Sequence, residues 1–208
     1  MRRSLSIAIA SAACTAAVAF PVTASAAPAG GGCALQGTAK FAPNGPGTSS
    51  SFGYSFSGAL SNCQSNLSAP ATGSISAGNI ETIAGQTYQE PASTGTGQVP
   101  GNSCAAGTTS GTAIVTWAGG THTVISYTTQ SAGAGVALSG VVVPSVVLQP
   151  TSPTGTPVTV STDSPWFPVG DTANGVLAFE VTSPTQCNTA AGVTTAGIAG
   201  AVGVGATS

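Results

Sequence analysis

The feature that most restricts this chain is a two-residue alternation of large apolar with small or polar side chains, punctuated by Gly, Pro, Ser, Thr and Asn. Successive side chains of a strand point to opposite faces, so this period predicts half-buried β-strands and no helix. Residues 52–60 show it most plainly, with Phe52, Tyr54, Phe56 and Leu60 on one side and Gly53, Ser55, Ser57 and Ala59 on the other. Residues 33–41 do the same, setting Cys33, Leu35, Gly37, Ala39 and Phe41 against Gln36, Thr38 and Lys40. Weaker strands are predicted at 71–77 and 79–84. Residues 112–117 and 121–129 flank Ala118-Gly119-Gly120, which reads as a hairpin with a two-residue Gly-Gly turn. That register opposes Val115 to Val124 and Ile114 to Ile125, and sets Trp117 beside His122. It puts apolar groups on both faces of the pair. Residues 136–148 are rich in β-branched side chains but broken by Pro144, which cannot donate to a ladder. A strand at 176–181 and a terminal strand region with a Gly-rich tail, 190–207, complete the set. Residues 86–111 and 149–175 read as long irregular stretches. Eight or nine strands without helices predict an all-β, two-sheet antiparallel sandwich of Ig-like or Greek-key type, with an antiparallel barrel as the alternative.

The first 26 residues predict an export signal. Arg2 and Arg3 precede an apolar run over 5–20, and Ala24-Ser25-Ala26 supplies the small-x-small pattern of a signal-peptidase site. Cleavage after Ala26 leaves residues 27–208 as a single secreted domain of roughly 180 residues, long enough to bury a core. Its four cysteines, Cys33, Cys63, Cys104 and Cys187, would then meet an oxidising compartment and form two disulfides, with three pairings open. Cys33 and Cys63 flank the turn-rich Pro43-Asn44-Gly45-Pro46-Gly47 almost symmetrically, which favours joining them and leaves Cys104 with Cys187. In the loop-entropy account these closures contribute up to about 3.7 and 4.6 kcal/mol. The first pairing makes a structural demand. Leu60 lies on the even, apolar face while Cys63 is odd, so a bulge near Ser61-Asn62 must flip the parity.

Charge excludes several partners. Beyond the signal the chain carries Lys40 alone against Glu81, Glu90, Asp163, Asp171 and Glu180. One cation cannot displace the counterions of several phosphates, so nucleic acid is excluded, and binding to anionic headgroups fails for the same reason. The segment 190–207 is uncharged but too rich in Gly and Thr for a membrane span. With 4% charged residues overall, solubility rests on hydroxyls, amides and backbone.

No cofactor or metal motif is present. The cysteines are widely spaced and there is a single histidine, which argues against a zinc site. A Ser-His-Asp hydrolase would need His122 with Asp163 or Asp171, yet no G-x-S-x-G elbow occurs, and the imidazole beside a hairpin turn reads as cover for Trp117. A glycosidase would need two carboxylates facing each other across a cleft, for which Glu81 and Glu90 are one pair. Asp163 and Asp171 could join loop carbonyls around calcium, but beside Pro165 and Gly170 they read more simply as turn residues. Trp166 and Phe167, held between Pro165 and Pro168, are the candidate binding surface for a glycan or protein partner. The competing reading has them fold back to plug one end of the core. Tyr88 is a lesser candidate of the same kind.

Four segments, Cys33-Ala-Leu-Gln-Gly-Thr-Ala, Phe56-Ser-Gly-Ala-Leu-Ser-Asn-Cys63, Ser110-Gly-Thr-Ala-Ile-Val-Thr-Trp117 and the tail from Gly192 to Gly205, together resemble a group of secreted, β-rich actinomycete proteins with no assigned activity. The resemblance implies an exported β domain and names no ligand. The sequence expectation is therefore an extracellular, non-catalytic protein, cell-wall associated or free, that binds or lines something outside the cell and is open to self-association through unprotected strand edges. A secreted, glycosidase-like hydrolase using a carboxylate pair is the alternative.

Overall fold

The computed structural model describes residues 30–42, 51–97, 107–132, 135–181, 185–186, 189 and 192–205. Residues 1–26, where the sequence predicts a signal, and Cys104 and Cys187 lie outside the described residues. In chain order the strands are β1 (Gly30–Ala42), β2 (Phe52–Ser65), β3 (Gly73–Ala77), β4 (Ile80–Ile83), β5 (Gln86–Gln89), β6 (Ser93–Gly97), β7 (Gly107–Trp117), β8 (His122–Ala132), β9 (Gly135–Val143), β10 (Ser145–Pro150), β11 (Val158–Ser161), β12 (Thr172–Val181) and β13 (Thr195–Gly205). The stretch 86–111, expected to be irregular, thus contributes β5, β6 and the start of β7, and 149–175 contains β11 and the start of β12. Their Thr and Gly content hid a periodicity that long-range pairing enforces, because strand propensity depends chiefly on what a strand packs against.

Of the two all-β architectures, the closed barrel is the one formed. Eight antiparallel staves run β1, β13, β12, β9, β8, β7, β3, β2 and back to β1. Closure is made by the first and last strands, which pair continuously from Gly30 opposite Gly205 to Lys40 opposite Thr195. A closed barrel has no free edges, whereas a sandwich of the same strands would expose them. Gly200 shows why the last strand is so rich in glycine. A Cβ there would stand 2.2 Å from the Val176 carbonyl oxygen, so only glycine lets β13 and β12 approach this closely.

One stave is split. β3 pairs with the middle of β2 and the end of β7, and β6 takes over beside the first residues of both. Between the two halves the chain leaves the barrel as the β4–β5 hairpin, which joins β10 and β11 in an outer sheet ordered β11, β10, β5, β4. That sheet lies over β7 and β8, where Ile114 and Val124 pack with Tyr88, Val146 and Leu148. Hence β7 and β8 are apolar on both faces: one lines the barrel interior and the other sits under a second layer. Tyr88, a lesser binding candidate in the sequence, is buried in this interlayer.

Two local expectations concern the chain's turns. The bulge required by the disulfide is present, since the β1–β2 register shifts between Gly32 and Ala34 opposite Asn62, which adopts φ 50°. Cys33 and Cys63 are joined. The β7–β8 hairpin is one residue different from expectation. Its loop is three residues long, closed by the Gly120 amide donating to the Trp117 carbonyl at 2.8 Å, with Gly120 alone at positive φ (83°). A three-residue loop needs one left-handed residue where a two-residue loop needs two. The register therefore opposes Ile114 to Val124, Val115 to Thr123 and Thr116 to His122, and the Trp117 indole Nε1 donates to Thr123 Oγ1 at 2.9 Å.

Candidate functional site

Because every second residue of each stave points inward, the barrel axis is lined by apolar side chains: Leu35, Phe56, Ile75, Leu138, Leu177 and Ile198 come from six different strands. They do not fill it. A cavity of about 160 Å³ remains inside, as expected when an eight-stranded barrel is just wide enough for its own side chains or one small ligand. The rim at which β1 starts and β7 ends is blocked by Phe167, 2% exposed, whose ring lies 5.2 Å from that of Trp117. Trp166 is half-buried against the same cluster, which also contains the Cys33–Cys63 disulfide. The loop carrying Trp166 and Phe167 thus plugs the barrel instead of presenting two free aromatic faces. Burial of a large apolar ring outweighs its use as an exposed platform.

One patch of the interior is polar. The Tyr54 phenol oxygen lies 2.5 Å from that of Tyr127 and 3.1 Å from Thr109 Oγ1, which is 2.6 Å from Thr129 Oγ1. Tyr127 also reaches Ser93 Oγ at 3.5 Å. Burial pushes both phenols above the usual tyrosine range. For Tyr54 its hydroxyl neighbours pull partly back, and for Tyr127 the adjoining Tyr54 adds to the rise. Tyr54, Tyr127, Thr109 and Thr129 all belong to the cavity wall. The two-residue alternation puts Tyr54 and the strand of Tyr127 in the core but does not encode their meeting. The available signal was tyrosine, rather than phenylalanine, at inward positions, since a buried phenol requires a partner.

Three of the carboxylate residues make local structural contacts. Glu90, 1% exposed, sits where the chain re-enters the barrel from the outer hairpin. Its two oxygens accept from Ser76 Oγ at 2.6 Å and the Asn79 amide at 2.8 Å. Burial raises its pKa; the two hydrogen bonds oppose the rise, and the charge of Glu81 adds to it. Neither Glu81 nor Glu90 belongs to the cavity wall. Asp163 is 57% exposed and accepts the His122 backbone amide at 2.5 Å, with the imidazole Nδ1 3.8 Å away. Among the described residues no hydroxyl bonds to that ring. The pair ties the loop after β11 to the start of β8, reinforced by the Asp163 and Ser164 amides donating to the His122 carbonyl. Asp171 closes the turn that begins at Pro168, and among the described residues no three His, Cys, Asp or Glu side chains cluster to hold a metal.

A second, more open groove of about 750 Å³ runs over β6, β7 and β8, lined by hydroxyl-bearing Thr94, Thr96, Thr108, Ser110 and Thr128 together with Thr109 and Thr129, which also line the lumen. No family model, curated protein or solved structure matches the chain.

Proposed function

We propose that this chain is an exported, non-catalytic binding protein that holds a small apolar guest inside its barrel. The observation that carries the reading is the cavity of about 160 Å³ lined by aliphatic and aromatic side chains from all eight staves. Apolar cavities of this size stay dry and take up guests, an engineered one of about 150 Å³ binding benzene. Export rests on the leader-like first 26 residues and fits the Cys33–Cys63 disulfide, a bond that persists in oxidising surroundings. Among the described residues no helix is long and apolar enough to cross a membrane. Among the described residues, the exposed outward positions of the staves carry mostly Ser, Thr, Gly, Ala and a few amides and charges, with Val141 and Val176 the large apolar exceptions, in contrast to the continuous apolar band and aromatic girdles of lipid-facing barrels. Cys104 and Cys187 belong to the same proposal: β6 and β12 end, and β7 and β13 begin, on one rim of the barrel, so the intervening segments start from the same end.

The test is guest uptake by the exported protein. Toluene added to the isotope-labelled chain is expected to shift the methyl signals of Leu138, Ile75 and Ile198. Leu138→Trp, which fills the lumen, is expected to abolish those shifts while the strand signals of the fold persist. Unchanged methyl signals in the native chain at saturating toluene would rule out the reading. Intact-mass and peptide mapping of the same exported material is expected to give a chain beginning at Ala27 with Cys104 joined to Cys187.

A further inference from the structure

Resting on the lumen as the binding site, we infer that the guest is a neutral molecule about one ring in size with a single hydroxyl or carbonyl, anchored by the hydroxyl chain at the barrel wall. Thr129, Thr109, Tyr54, Tyr127 and Ser93 form a line of five hydroxyls joined by four contacts. Each hydroxyl has one proton to give and two lone pairs. Tyr54 donates to Thr109 and Tyr127 to Ser93, while the Thr109–Thr129 contact needs only one of that pair's two protons, so one threonine proton and several lone pairs are left over at the cavity wall. Its two ends differ. Ser93 is 1% exposed and outside the cavity wall, whereas Thr129 belongs to that wall. A guest oxygen at the Thr129 end would meet a donor and an acceptor together, while its apolar body lies along Phe56, Leu138 and Ile198.

Size and charge narrow the class. The volume admits one six-membered ring with a substituent, by comparison with the benzene-binding cavity. A charged guest is disfavoured, because stripping water from an ion is costly without a counter-charge. The only basic side chain beyond the leader, Lys40, lies on an exposed outward position of β1. A phenol fits, a benzoate does not, and a bare hydrocarbon leaves the spare proton unused.

The probes are phenol, toluene and benzoate, titrated into the full exported chain by calorimetry and followed by the chemical shifts of Thr109 and Thr129. Phenol is expected to bind at least five-fold more tightly than toluene, about 1 kcal/mol at 1.4 kcal/mol per tenfold, with benzoate undetected. In Tyr54→Phe/Thr109→Val/Thr129→Val, which keeps side-chain volumes and removes the three hydroxyls at the threonine end of the line, toluene should bind as before and phenol should fall below it. Toluene binding with phenol weaker in the native chain would overturn the anchor and leave the lumen reading standing. Binding of neither would remove both. Should the triple variant fail to fold, the order of the three probes on the native chain and the Thr109 and Thr129 shifts decide.

Discussion

Replacing Phe167 by alanine tests whether the Trp166-Phe167 loop is a plug or a display. The side chain is almost wholly buried and its ring stacks 5.2 Å from Trp117 at 32°. Full burial of a phenylalanine side chain contributes up to about 3 kcal/mol, and the aromatic pair adds about 1 kcal/mol. The neighbourhood cannot collapse into the space, because on its inner side lies the existing cavity of about 160 Å³. A loss of about 4 kcal/mol follows, inside the range of about 3–5 kcal/mol for such truncations. It is a large part of the about 5–15 kcal/mol that holds a domain together. Urea unfolding read by tryptophan emission suits the measurement, since Trp117 and Trp166 are the only two tryptophans and both sit at this rim. With a slope near 2 kcal/mol/M, the midpoint should fall by about 2 M at unchanged slope. Phe167→Leu, closer in volume, should cost less than about 1.5 kcal/mol. A Phe167→Ala loss under about 1 kcal/mol, well below that range, would refute the plug and return the loop to the role of an exposed recognition surface.

Reduction of Cys33–Cys63, or its removal in the double variant Cys33→Ser/Cys63→Ser, is expected to lower unfolding free energy by about 3–4 kcal/mol from loop entropy; an unchanged urea midpoint would show that the bulge at Asn62 holds this rim unaided. For Glu90 the sign is unusual for a carboxylate. Its folded pKa lies above the ordinary 4.5, so the folded state holds the proton more tightly, and its contribution is complete below that value and lost as pH rises through the folded pKa. Glu90→Gln can keep both contacts, with Ser76 turning acceptor, and thermal melts from about pH 5 to 8 should fall more steeply for the native chain than for the variant; parallel curves would remove this role. Gly200→Ala puts a Cβ 2.2 Å from the Val176 oxygen and should cost about 1–3 kcal/mol as overpacking, with amide exchange increasing first in β13 and β12. Equal exchange in native and variant chains would mean the closure seam tolerates a side chain.

Legibility followed the range of the interactions. Strand 52–60 was readable because its alternation is local and its large residues are unmistakable. Glu90 was not, since nothing in Gln89-Glu90-Pro91 signals a carboxylate seated between two halves of one stave. The β7–β8 hairpin was recognised from its glycines, but its register turned on whether one or two of them adopt positive φ, which the residues Gly119 and Gly120 leave open.

By itself, the order of residues determined that this protein is built of strands, that Cys33 and Cys63 face one another only through a bulge, and that its surface depends on hydroxyls. These follow from period, parity and composition, each a property of a few neighbouring positions. Tertiary structure alone decided that the strands close on themselves, that an outer sheet covers β7 and β8, and that four hydroxyls from β2, β7 and β8 meet in the lumen. A period of two assigns each side chain to a face but is the same for a sandwich and a barrel. The choice between them lies in the pairing of β1 with β13, the first and last strands along the chain, which no local pattern encodes.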